Sequence, residues 1–440
     1  MSDARQERAA AYGLASALVL VALAWLVPTV TGWQVHPRAD RDGGVPPLHG
    51  LWDPKVAPAS VAALALAVVV TWRGAAWAAA LRWRPLLAGS FAVGAAWMLA
   101  LALVDGTAGI SRVLGNPDEY LRTARSVTSV HALLSGYVDR IPLSAPDNWP
   151  IHVAGHPPGM LLFFVALVRL GLGGDLAAGV VVTLVAATLP AAVLTTLRAL
   201  DREQLARRAA PYLVLTPAAV FLAVSADAVM AATAAWGVAA LAVATRRGAG
   251  RGWPWAVGAG LLLGSACLMS YGLPLMGVLA LAVLAAGRSW WPLPVAALAA
   301  IAVVALFALL GFSLLEAYPV LRDRYWAGVA RERPAAYWVW GDLAALALSA
   351  GPMVGAGLAL VARTGPRDRV LTLLVGAGTA MVVAADLSQM SKGEVERIWL
   401  PFVPWLTLGL VLLPERWRRP ALAVQAVTAL LLQHLLYTSW

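Results

Sequence analysis

The longest polar interval of the chain runs from Gly115 to Leu162, and it holds the residue types that do chemistry. Asp118 and Glu119 are adjacent there, followed by Tyr120, Arg122 and Arg125. A carboxylate can act as a general base on a hydroxyl. Two carboxylates together can hold a divalent cation through oxygen ligands. Pro117-Asp118-Glu119 is equally read as an acidic helix start. The two readings are compatible, because a helix N-terminus can also place a catalytic acid.

The interval closes with Gly155-His156-Pro157-Pro158-Gly159. Two prolines stiffen the backbone and remove donors, so His156 stands beside a rigid corner. An imidazole there can hydrogen-bond a phosphate or a leaving oxygen; the plainer reading is a Pro-Pro helix start with an exposed histidine. A second cluster, Arg322, Arg324, Arg331 and Arg333, suits phosphate through forked donors, or greets lipid headgroups. Tyr325, Trp326, Tyr337, Trp338 and Trp340 interleave with it as an interfacial aromatic belt. A third piece, Lys392-Gly393-Glu394-Val395-Glu396-Arg397, runs straight into an apolar segment. Charges in that position must pair or face a polar cavity; Glu396 and Arg397 are read as pairing with each other or as facing a cavity near the first loop. Asp40-Arg41-Asp42 matches a short Asp-x-Asp pattern and is read as a solvated loop.

The elements that must position these residues are membrane helices. Of 440 residues, 60% are hydrophobic and only 13% charged, against about 25% charged in soluble domains. Apolar runs of about 20 residues need a bilayer. The expectation is an all-α polytopic membrane protein of one domain, 1–440, with about thirteen spans. They are placed near 12–32, 58–72, 85–104, 176–197, 211–224, 227–244, 253–270, 273–287, 291–314, 341–362, 370–386, 397–413 and 420–438. The net charge of +10 comes from loop arginines, so no nucleic-acid partner is expected. The single Cys267 excludes an internal disulfide.

Met160–Leu172 is apolar, but thirteen residues rise about 20 Å and a crossing needs about 30 Å. If the segment lies along the interface, the basic loops around Arg82, Arg202, Arg246, Arg288, Arg367 and Arg418 all fall on one side. The positive-inside bias then makes that side, and the N-terminus, cytoplasmic. Four polar pieces fall outside: 33–58, 105–175 (a large loop with juxtamembrane helices), 315–340 and 387–397, along with the C-terminal Trp440. Outer arginines run against the topological bias and ask for an anionic partner.

Taken together, Asp118-Glu119-Tyr120, the Pro-Pro corner before a juxtamembrane helix, Asp227 opening a span after Ser225, and Glu396-Arg397-Ile398-Trp399-Leu400-Pro401 with Pro404 resemble the GT-C superfamily. These are polyprenyl-phosphate-sugar-dependent membrane glycosyltransferases, and the protein O-mannosyltransferases and aminoarabinose transferases have the most similar patterns. The resemblance covers residues from about 105 to 410. It implies transfer of a sugar from a polyprenyl-phosphate donor to a hydroxyl of a glycan, lipid or protein on the outer face of the cell membrane. Asp118 and Glu119 would be the catalytic acids. His156, Arg322, Arg324, Lys392 and Arg397 would hold the donor phosphate, with His156 where many relatives carry lysine. Tyr120, Asp227 and Glu396 would line the substrate. No cofactor is expected beyond a divalent cation on Asp118 and Glu119. Arg38, in a different outer loop, is expected to be dispensable. The alternative class is a transporter or flippase for a lipid-linked or anionic solute; it would place charges at mid-membrane in broken helices.

Overall fold

A computed structural model describes residues 3–38, 44–364 and 368–438. Asp40-Arg41-Asp42, Arg367 and Trp440 lie outside the described residues. The chain is nearly all helix. Among the described residues seven helices are long and apolar enough to cross a membrane, and eight if one bent pair counts as a span. The seven are Ala4–Thr31, Pro58–Ala80, Trp83–Asp105, Asp175–Ala199, Ala226–Arg247, Pro292–Leu309 and Arg369–Ser388. The bent pair is Ala335–Ser349 with Met353–Arg363, meeting at 104°. Gly351 (φ +88°) and Pro352 make the break, and the buried Gln425 amide donates to the freed Ala350 carbonyl at 2.7 Å. A carbonyl released inside apolar surroundings needs such a donor.

The other five expected spans are helical but shorter or less apolar than a crossing requires. Pro217 divides 211–224 into the helices Glu203–Val214 and Ala219–Leu222. Pro401 interrupts 397–413 in the same way, leaving Val395–Ile398, then Val403–Thr407 with Pro404 in its first turn, and a 3₁₀ turn, Leu408–Leu412. The segment 273–287 is limited to Leu273–Ala286. Ala249–Cys267 is diluted by Arg251, glycines and tryptophans, and Glu415–Leu435 begins with Arg416, Arg418 and Arg419. The apolar helix Pro158–Arg169 has 12 residues, a rise of about 18 Å, so it is too short to span, as expected.

Ala226–Arg247 is the buried centre of the bundle, whereas Ala4–Thr31 and Pro292–Leu309 leave most of their surface on the outside. Small residues let the backbones close up. A Cβ on Gly260 would sit 2.1 Å from the Ala296 carbonyl oxygen, an approach open only to glycine.

The central helix also relates the two ends of the molecule. Asp227 is at its start and Arg246 near its end, a rise of about 28 Å, close to the hydrocarbon thickness. At the Arg246 end the basic loops meet one another. Arg246 donates to the Arg198 carbonyl at 3.1 Å, Arg202 pairs with Asp368 at 3.0 Å, and Arg207 donates to the carbonyls of Ala78 and Leu81. At the Asp227 end the four polar pieces 33–58, 105–175, 315–340 and 387–397 meet. A short antiparallel ribbon, Gly50–Trp52 with Leu436–Thr438, ties the first of these to the last strand.

Candidate functional site

The acidic pair lies before a helix, not within its first turn. Asn116 accepts the Asp118 N–H through its side chain at 3.0 Å, and the helix Tyr120–Ser126 starts after Glu119. Glu119 is the N-cap residue, yet its side chain makes no capping bond. The carboxylates are therefore not used up as helix caps. Asp118 is half-buried, and among the described residues no side chain bonds to its carboxylate. Glu119 is buried; Oε1 is 3.6 Å from His152 Nε2, and Oε2 has no hydrogen-bond partner among the described residues.

Burial pushes the Glu119 carboxyl up to about 7. Arg397 opposes the rise, and Asp227 and Asp118 add to it. These charges thus act on one another across the site. Burial, helped by Arg397, keeps the His152 imidazole well below its usual basicity.

His152 and His156 come from one short turn. The helix Ile151–Ala154 carries the first, and the His152 carbonyl contacts His156 Nδ1 at 2.8 Å. The His152 N–H donates to the Asp118 carbonyl at 3.2 Å, fastening this turn to the acidic pair. Pro158 begins the next helix, as the Pro-Pro corner predicts. Tyr120 is fully buried, stacked on Phe164 with centroids 5.6 Å apart and edge-on to His156 at 5.9 Å.

Arg397 is the centre of charge. Its guanidinium pairs with Asp227 at 2.8 Å and with Glu394 at 3.5 Å. Burial works against the charge, and Asp227, Glu394 and Glu119 outweigh it, so Arg397 stays firmly protonated. Asp227 is placed by Ser225, whose hydroxyl accepts the Asp227 N–H and caps the central helix.

Glu394 has a left-handed backbone (φ +64°) and faces three cations or donors: Arg397, Arg333 at 3.1 Å and His49 at 3.5 Å. Burial alone would raise its carboxyl. His49, Arg333 and Arg397 outweigh that and hold it well below the usual carboxylate range. Arg333 also donates to the carbonyls of His36, Pro37 and Lys392, so one buried guanidinium joins three of the four polar pieces. Gly393 must be glycine here: its φ is +74°, and a Cβ would lie 2.9 Å from the Arg333 guanidinium. Its N–H is accepted by the buried Asp342 carboxylate at 2.9 Å.

Asp118, Glu119, Tyr120, His156, Asp227 and Arg397 thus come to one region, while other expected site residues are employed differently. Arg322 is exposed and pairs with its neighbour Asp323 at 3.3 Å. Arg324 clamps the large loop, donating to the carbonyls of Ile141 and Trp149. Lys392 is buried; its ammonium donates to the Arg333 carbonyl at 2.8 Å and lies 4.5 Å from the Trp326 ring centre. Glu396 accepts the His49 N–H at 2.9 Å, with its second oxygen buried and unpartnered among the described residues. Arg38, expected to be dispensable, is buried and donates to the His49 carbonyl at 3.4 Å. It supports the loop that reaches Glu394 and Glu396, so it is part of the site's frame.

Sequence reasoning passed over His49, His152, Glu394 and the clamping role of Arg333. His152 carried a signal, since it precedes His156 by four residues, one helical turn. His49 carried none, because its partners lie at the far end of the chain. Among the described residues no group of three or more His, Cys, Asp or Glu side chains is placed to hold a metal ion. Comparison with protein-family models, with curated proteins and with solved structures gives no match to this chain.

Proposed function

We propose that the protein is a membrane glycosyltransferase of the GT-C kind, using a polyprenyl-phosphate sugar and a hydroxyl acceptor at the outer face of the cell membrane. The observation that carries this reading is the meeting of two carboxylates that are unengaged among the described residues, Asp118 and the Oε2 side of Glu119, with the firmly charged Arg397, at one end of a membrane-length helix. The N-terminus is then cytoplasmic, because the arginine-rich loops gather at the other end.

In this reading the acceptor oxygen attacks the anomeric carbon from the face opposite the phosphate. The bond to the phosphate oxygen breaks, the phosphate keeps the electron pair, and the acceptor's proton passes to the acidic pair. Negative charge grows on the leaving phosphate, where a preorganised cation lowers the barrier, by roughly 3 kcal/mol for one good donor. Arg397 is the candidate. Its 3.5 Å contact with Glu394, longer than the one to Asp227, is the one that a phosphate would exchange. His156, beside the acidic pair, would meet the donor from the large loop.

A second reading has one observation of its own. The bent pair carries the buried Asp342 in its first half, and broken helices with buried charge are a transporter's device. Asp342, however, bonds to Gly393 of the site loop. That favours the first reading.

The test supplies reconstituted protein with labelled polyprenyl-phosphate sugars one at a time. Transfer with release of polyprenyl phosphate is expected for one donor. Accumulation of an intact donor across the vesicle membrane, with no transfer from any donor, would replace this reading by the transporter.

A further inference from the structure

Thr183 lies two turns into the helix that follows the large loop. It is fully buried in the helix Asp175–Ala186. Its hydroxyl donates to the Gly179 carbonyl at 2.8 Å and accepts the N–H of Val224 at 3.1 Å. Val224 is itself buried and has φ +63°. A β-branched residue rarely adopts that left-handed conformation, and it persists only where the surroundings dictate it. Here the dictating contact is visible, for without the Thr183 oxygen the Val224 N–H would be a buried donor with no acceptor.

The path continues without interruption. Ser225 Oγ accepts the Asp227 N–H at 3.1 Å and lies 3.3 Å from Asp227 Oδ2. That same Oδ2 accepts from Arg397 at 2.8 Å. The left-handed turn at Val224 is what brings the chain into the central helix, so its angle fixes where the first turn points. We propose that Thr183 is a positioning residue: by holding the turn at Val224, it sets the direction in which Asp227 presents its carboxylate to Arg397. The importance of that direction for sugar transfer rests on the function proposed above; the linkage itself does not.

A double-mutant cycle in thermal unfolding of the full chain, reconstituted in lipid nanodiscs, tests the linkage without any substrate. The variants are Thr183→Val, which keeps the shape and cannot accept the N–H, Asp227→Asn, and the two combined. If Thr183 acts on Asp227, the loss in melting temperature of the double variant differs from the sum of the single losses by about 2 °C or more. Thr183→Ser keeps the hydroxyl and should show no such coupling. Additive losses, or a serine variant that behaves as the valine one, overturn the proposal. If Thr183→Val does not fold, Thr183→Ala, which also lacks the acceptor for the Val224 N–H, takes its place in the cycle under the same criterion. Failure of every polyprenyl-phosphate sugar to react would count against the glycosyltransferase reading and leave the outcome of the cycle unchanged.

Discussion

Arg397 and Asp227 form an ion pair at 2.8 Å in which the two side chains are only 5% and 6% exposed. Removing one partner of such a pair leaves a buried charge and costs about 3–5 kcal/mol. Arg397→Ala is therefore expected to lower the melting temperature and to reduce sugar transfer by orders of magnitude. Arg322→Ala is the proper comparison, since Arg322 and its partner Asp323 are 57% and 75% exposed. Melting curves and turnover of the two variants check this. Equal, small losses at both positions would take away the phosphate site.

Glu119 titrates near 7 when folded, against an ordinary value of 4.5. The raised value means that the folded chain binds the proton more tightly. The stability due to this group is fully present below about pH 4.5 and is lost as pH rises through 7. The loss amounts to about 3 kcal/mol. Glu119→Gln should flatten the fall in melting temperature between pH 5 and pH 8. An unchanged slope in the variant would assign the titration to another group.

Asp118 is half-buried, and among the described residues its carboxylate carries no hydrogen bond from another side chain. Asp118→Asn should therefore leave abundance and melting temperature near normal while abolishing transfer. Wild-type turnover in a reconstituted assay would remove Asp118 from the chemistry.

The sidedness of the chain is open to cysteine labelling in a Cys267→Ala background. Ala335 is exposed at the site end and Gln204 at the arginine-rich end. Ala206 is fully buried and makes no useful probe. With the N-terminus inside, a cysteine at 335 should react with an impermeant maleimide in intact cells and a cysteine at 204 should not. The reverse pattern would turn the molecule over.

How much of this was legible follows from what each residue advertises. Arginine bias alone sorted the loops into two sets, and each set meets within itself in the structure. Asp227 was legible as the residue that opens a span after Ser225, and Arg397 at the edge of an apolar run as a charge that needs a partner; that partner is Asp227, far away in sequence, and not the neighbouring Glu396. Span edges were not legible, because alanine, leucine and valine fill crossing and non-crossing helices alike. Pro217 and Pro401 were the available marks of interruption. Arg324 and Lys392 misled for a different reason: a cation that satisfies buried carbonyls looks, in sequence, the same as one that awaits a phosphate.

The ribbon that pairs Leu51 with Tyr437 imposes an order on biogenesis. The loop bearing His49 is made early, yet its strand partner leaves the ribosome only after nearly all the helices. His49 can meet Glu394 and Glu396 only once those residues have been made, so a nascent chain stalled before residue 394 would hold the early helices without that contact.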